Sequence, residues 1–140
     1  MATWDDVREA VAALPDTTED RPRRWLAHGK GLAWERPLRR ADHDALGADA
    51  WPGDVLALRT PDLEGKEALL GSAPDVYFTT PHFDGYPMVL ARIERLDAAE
   101  LVEVVTDGWL ALVPKRAARA WLDTHPELDT PGDTSPEGRG

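Results

Sequence analysis

Cysteine is absent from this chain of 140 residues, and that absence excludes a disulfide framework, a thiolate metal site and a cysteine nucleophile. Serine is almost as scarce. Ser72 and Ser135 are the two present, and neither stands in the Gly-x-Ser-x-Gly turn that presents a hydrolase nucleophile. The glycines are not arranged to cradle phosphate. Gly29-Lys30-Gly31 and Leu63-Glu64-Gly65-Lys66 lack the strand, multi-glycine loop and helix of a nucleotide-binding turn. No apolar run approaches the length that crosses a bilayer. The opening residues, Met-Ala-Thr-Trp-Asp-Asp, lack the basic and apolar regions of an export signal, so a soluble cytoplasmic protein is expected. His28, His43 and His125 are scattered without ligand spacing. Neither a metal nor a cofactor is expected, and with no nucleophile in place the chain does not read as an enzyme.

Positive charge is the other deficit. Sixteen basic residues face 26 acidic ones, a net charge of −10. Setting aside His125 to Gly140 leaves 22 acids against 15 bases, a net of −7. Nucleic-acid affinity comes largely from neutralised phosphates and released counterions, so a protein with this balance meets repulsion over most of its surface. Only a local basic patch could hold DNA. What is present is a hydrophobic content of 42%, enough for one domain with a proper core.

The periodicity gives the elements. Thr3 caps an amphipathic helix carrying Val7, Ala10, Val11 and Leu14, which Pro15 ends. Asp16 to Pro22 reads as a polar turn. Arg23 to His28 and Leu32 to Glu35 form a first hairpin around Gly29-Lys30-Gly31, with Leu32 and Trp34 on one face by alternation. A short helix over Arg40 to Leu46, closed by Gly47, leads through Trp51-Pro52-Gly53 to a strand at Val55 to Arg59. Thr60-Pro61 is expected to open a helix through Leu63, Leu69 and Leu70 that Gly71 closes. Asp97 caps the strongest helix, whose stripe is Ala98, Leu101, Val105, Trp109 and Leu112. Pro114 starts a further, angled helix over Lys115 to Leu122, and beyond Pro126 the chain is polar and expected to be disordered.

The segment richest in recognition chemistry is Val76 to Ile93. Two β-prone runs, Val76 to Thr80 and Met88 to Ile93, flank Pro81-His82-Phe83-Asp84-Gly85-Tyr86-Pro87, which predicts a second hairpin with His82 to Tyr86 as its exposed tip. His82, Asp84 and Tyr86 are the candidate recognition residues. The competing reading is architectural: Asp84 caps the turn, His82 bonds locally and Tyr86 packs its ring. Candidate phosphate contacts are Arg23 and Arg24, then Arg36, Arg39 and Arg40, then Arg92 and Arg95, and last Lys115 and Arg116. Pairing with neighbouring acids is the plainer account of them. Of the six tryptophans, Trp4, Trp109 and Trp121 lie on helical faces and are expected in the core, while Trp25, Trp34 and Trp51 are left open.

Several segments, in order, carry a family resemblance. They are Trp4-Asp5-Asp6-Val7-Arg8, Gly31-Leu32-Ala33-Trp34-Glu35-Arg36-Pro37-Leu38, Lys66-Glu67-Ala68-Leu69-Leu70, the Val76 to Ile93 hairpin, and Trp109 with Pro114-Lys115-Arg116. From Trp4 to Leu122 the chain resembles the MmcQ/YjbR family, small bacterial proteins usually labelled DNA-binding. The resemblance implies a single α+β domain over residues 1–124, followed by an acidic tail at 125–140. Its antiparallel sheet would carry two hairpins in a double-wing arrangement similar to secretion-chaperone folds, packed by N- and C-terminal helices. It also implies weak, wing-mediated contact with DNA. The alternative is a module that binds a protein or small ligand, at the sheet face or the His82 to Tyr86 tip, without nucleic-acid activity.

Overall fold

A computed structural model describes residues 1–128; the greater part of the expected tail, 129–140, lies outside the described residues. The sheet has six strands: β1 (Thr17–Arg21), β2 (Arg24–Ala27), β3 (Lys30–Glu35), β4 (Val55–Arg59), β5 (Tyr77–Phe78) and β6 (Met88–Arg92). Their order is β1-β2-β3-β4-β6-β5, with every neighbouring pair antiparallel. The α-helices among the described residues are five: α1 (Trp4–Ala12) before the sheet, α2 (Arg40–Leu46) and α3 (Leu63–Ser72) between strands, and α4 (Ala98–Leu112) and α5 (Lys115–Asp123) after it. This is the expected α+β domain. Its two hairpins lie on either side of β4, the β5–β6 pair at one edge of the sheet and the β2–β3 pair just inside the edge strand β1.

Alternation along the central strands sorts the core into two layers. Leu56 and Leu58 of β4, Val89 and Ala91 of β6 and Tyr77 of β5 join the larger cluster with Val7, Val11, Leu101, Val105 and Trp109 from α1 and α4. Val55, Ala57, Leu90, Met88 and Phe78 point the other way and join Phe83, with Leu38, Leu46, Trp34 and Trp51 packed against them. Both faces are therefore covered at the centre. Helix α4 presses closely on β4 because residue 108 is glycine: an added Cβ there would lie 2.6 Å from the Arg59 carbonyl oxygen.

Four expectations need correction. Asp16 to Pro22 contains strand β1, an edge strand with four of its five residues exposed. It lacks the apolar alternation that marks a strand, and its charges suit an unpaired edge. Leu32 and Trp34 do not share a face, because the β2–β3 register shifts: Trp25 pairs with Ala33 but Leu26 with Gly31. The resulting bulge puts Leu32 and Ala33 in the larger cluster and Trp34 against the smaller. Helix α3 is capped by Asp62, whose carboxylate accepts from the Gly65 N–H at 2.7 Å, and Gly71 lies inside the helix rather than ending it. Finally, the domain does not stop at 124, since residues 126–128 form a 3₁₀ turn and His125 stacks on Trp121 at 3.9 Å.

The helix starts follow the sequence. Thr3 Oγ1 accepts from the Asp6 N–H at 3.1 Å while Asp6 accepts from the Thr3 N–H at 2.9 Å, a reciprocal capping box. Asp97 accepts from the Ala99 and Glu100 N–H groups at the head of α4. Of the tryptophans, Trp109 and Trp25 are fully buried, and the other four are half-buried.

Candidate functional site

The β5–β6 connection is built from the inside. A 3₁₀ turn over Pro81–Phe83 sends Phe83 into the smaller core, where it is 6% exposed, so this residue is not part of an open tip. Gly85 supplies the left-handed backbone (φ 80°) that the turn requires. Below it lies Lys66, buried at 3% exposure, whose Nζ donates to the Phe83 carbonyl at 2.7 Å and to the Tyr86 carbonyl at 3.1 Å. Burial holds the Lys66 ammonium below its ordinary value, with Asp84 and Glu67 acting the other way. Arg36 braces the same loop. Its guanidinium lies 5.4 Å above the Phe83 ring and pairs with Asp42 at 3.2 Å, with both side chains buried. Burial alone would raise the Asp42 carboxyl, but the Arg39 N–H and the Arg36 charge outweigh it and hold the group below its usual range. His82, Asp84 and Tyr86 are exposed on the outside of this frame, Tyr86 at 59%.

The candidate phosphate contacts are dispersed. Arg36 is 6% exposed and committed to Asp42, which removes it from any surface. Arg23 pairs with Glu35 at 3.1 Å and lies over Trp4, and Arg24 pairs with Asp20 at 3.2 Å. Arg92 lies over Phe78 and Arg95 over Trp51, and both donate to the Asp75 carbonyl. Arg39, Arg40, Lys115 and Arg116 are exposed. The first pair adjoins α2, which packs through Leu46 on the smaller core; the second opens α5, which packs through Ala118 and Trp121 on the larger one. Those two groups of cations therefore belong to opposite layers of the sheet.

A different place gathers more chemistry. The β2–β3 hairpin closes through His28 and Gly29, both left-handed (φ 52° and 77°), the two-residue turn that matches the twist of paired strands. Asp16, also left-handed at φ 56°, meets His28 twice. Its carbonyl accepts from the His28 N–H at 2.9 Å, and its carboxylate lies 2.7 Å from His28 Nδ1. A carboxylate at this distance accepts a hydrogen bond from Nδ1–H and so directs the ring's other nitrogen, Nε2, away from Asp16. The neighbouring loop is pinned from below, because buried Trp109 donates its indole N–H to the Pro15 carbonyl at 2.8 Å.

Beside this pair lies a cleft of 480 Å³ walled by Pro15, Trp109, Val113, Pro114, Ala117 and Trp121. Apolar atoms make up most of the wall. Asp16, His28 and Thr124 supply its polar groups. Nothing in the spacing of His28 and Asp16 marks them as partners. The available signal was weaker: a His-Gly turn dipeptide following β2, with an acid just before β1. Among the described residues no group of three or more His, Asp or Glu side chains could hold a metal ion, and no helix is long and apolar enough to cross a membrane.

No protein-family model matches the sequence, and no solved structure is significantly similar to it. Curated relatives exist in mycobacteria. The uncharacterized protein Rv2570 of Mycobacterium tuberculosis is 47% identical over 125 residues, a match covering 87% of this chain and 97% of the relative. The uncharacterized protein Mb2600 of Mycobacterium bovis matches to the same extent. With this identity over nearly the whole of both chains, the protein belongs to the family of these uncharacterized mycobacterial proteins.

Proposed function

We propose that the protein is a small-ligand-binding module whose site is the cleft between α4, α5 and the His28–Gly29 turn. One observation carries this reading: a largely apolar cleft of 480 Å³ has a carboxylate-oriented imidazole at its rim. Pockets of this size and composition take the apolar body of a ligand, while a few fixed polar groups select its head. With Nδ1 donating to Asp16, Nε2 of an uncharged His28 ring would offer an acceptor, beside an acidic residue on a chain of net charge −10. An anionic head is therefore disfavoured, and a hydroxyl, amide or amine donor is favoured.

Nucleic-acid binding by two wings is the less supported reading. Hairpins on either side of β4 fit the double-wing description and the MmcQ/YjbR resemblance, but the cations that would contact phosphate are buried, paired or spread over both layers. Salt separates the two readings, since counterion release makes DNA affinity fall steeply with ionic strength, and burial of an apolar body does not.

The test is titration of naphthol, methoxynaphthalene and naphthoate into isotopically labelled protein, followed through the tryptophan indole N–H resonances. Naphthol is expected to move the Trp109 and Trp121 signals. Methoxynaphthalene, which lacks the donor, and naphthoate, which is anionic, should bind about tenfold more weakly, the factor that about 1.4 kcal/mol represents. Equal binding of all three would remove His28 from recognition. Unmoved Trp109 and Trp121 signals up to the solubility limit of naphthol would remove the cleft from consideration.

A further inference from the structure

A second surface lies on the helical layer, and it has the form of a trough. On α1 and its C-cap, Asp6, Glu9, Ala10 and Ala13 fall at the spacing of one helical face; on α4, Ala98, Ala99, Val102 and Thr106 form a matching stripe. Leu14, Trp121 and His125 close one end, and the space enclosed is 550 Å³. The alanines keep the floor low. Val102 is 49% exposed, one of four large hydrophobic side chains left open among the described residues. Asp6 and Glu9 give the rim its charge, and both are negative.

We infer that this trough docks a basic amphipathic helix of a partner protein. The shape argues for a helix, because two packed helices with small facing side chains leave the groove that a third fills in a bundle. The stripes advance seven and eight residues along the chain, about 10 to 12 Å at about 1.5 Å per residue, so about two turns of the partner would be engaged. The charge argues for basic flanks, since lysine or arginine beside the apolar stripe would meet Asp6 and Glu9. Val102 and the alanines would receive apolar residues at i, i+3 or i+4, and i+7. This surface is separate from the His28 cleft, sharing Trp121 with it as a common wall.

The probe is a synthetic helical peptide of about four turns, with leucines along one stripe and lysines beside them, compared with the same peptide carrying glutamates in place of the lysines. Isothermal titration against the full chain is expected to show binding of the lysine peptide at least tenfold tighter than the glutamate peptide, weakening as salt is raised. Val102→Glu should abolish binding, and Glu9→Lys should shift the preference towards the glutamate peptide. Both positions are exposed, so melting curves should stay within a few degrees of the parent; Ala99→Arg, also exposed, serves should either variant fold poorly. His28→Asn should leave peptide binding unchanged, which separates this inference from the ligand reading. Equal affinity for the two peptides, no binding of either, or insensitivity to Val102→Glu would overturn it. So would concentration-dependent self-association of the chain that Val102→Glu abolishes, since the occupant would then be a second copy.

Discussion

The two hairpin connections, on either side of β4 in the same sheet, solve the problem of reversing the chain in opposite ways. The β2–β3 turn takes two residues, His28 and Gly29, and needs only left-handed backbone to do so. The β5–β6 connection takes a 3₁₀ turn, a buried lysine reaching two carbonyls, and an arginine–aspartate pair laid against Phe83. The motif-rich sequence around His82 is thus largely occupied with its own architecture. The simpler turn ties its histidine to Asp16 alone and places it beside a cleft. Density of polar and aromatic residues in a sequence measures how elaborate a connection is, and only the structure separates those that hold it from those that line a cleft.

The comparison is most strongly challenged at the residue that supports the simpler turn. Trp109→Ala removes a buried aromatic from the larger core, the indole donor to Pro15 and a wall of the cleft, and should cost about 3 to 5 kcal/mol in chemical denaturation. A small loss would mean that the Asp16 loop and the cleft hold together without it.

On the other side of the sheet, Asp42→Ala strands Arg36 as an unpaired buried cation and should also cost about 3 kcal/mol or more. The pair gives this side a signature in acid. Asp42 is lowered in the folded state, so the unfolded chain binds the extra proton. The pair's stability is complete above the ordinary aspartate value of 3.8 and declines as pH falls below it. Acid melts of the parent should therefore be steeper below that value than melts of a variant with Asp42 already replaced.

Lys66→Met fills the same space but leaves the Phe83 and Tyr86 carbonyls without their donor, at a cost of about 2 to 4 kcal/mol. Hydrogen exchange should show the loss first at residues 83–88. Uniform exchange over the whole sheet would instead mean that Lys66 serves the core generally rather than this loop.

The smallest effects separate outward side chains from framework. His82→Ala with Tyr86→Ala removes only exposed groups and should change stability by less than about 0.5 kcal/mol for each residue. His28→Asn should be equally mild, because asparagine tolerates the left-handed backbone that alanine would strain. The two differ in binding: the second should weaken naphthol about tenfold, and the first should leave it unchanged. Loss of naphthol binding in the His82 and Tyr86 variant would reverse the comparison and return recognition to the longer connection.

Much of this molecule was legible in its sequence. The caps at Thr3 and Asp97, the stripe from Leu101 to Leu112, the break at Pro114 and both hairpins follow from local chemistry, because capping, periodicity and turn preference act within a few residues. Composition likewise excluded thiol chemistry and made broad phosphate binding unfavourable. What the tertiary structure decided involves partners far apart in the chain. Strand β1 exists through pairing with β2 rather than through any apolar pattern of its own; the bulge at Leu32 sends two successive side chains to one layer; and Asp62, not Thr60, caps α3. Lys66 and Arg36 read as surface charges until the loop at 80–87 folds over them. Asp16 and His28 are separated by two strands and the turn between them, and only the antiparallel pairing of β1 with β2 brings the carboxylate to the imidazole and both to the edge of a cleft walled by residues from the other end of the chain.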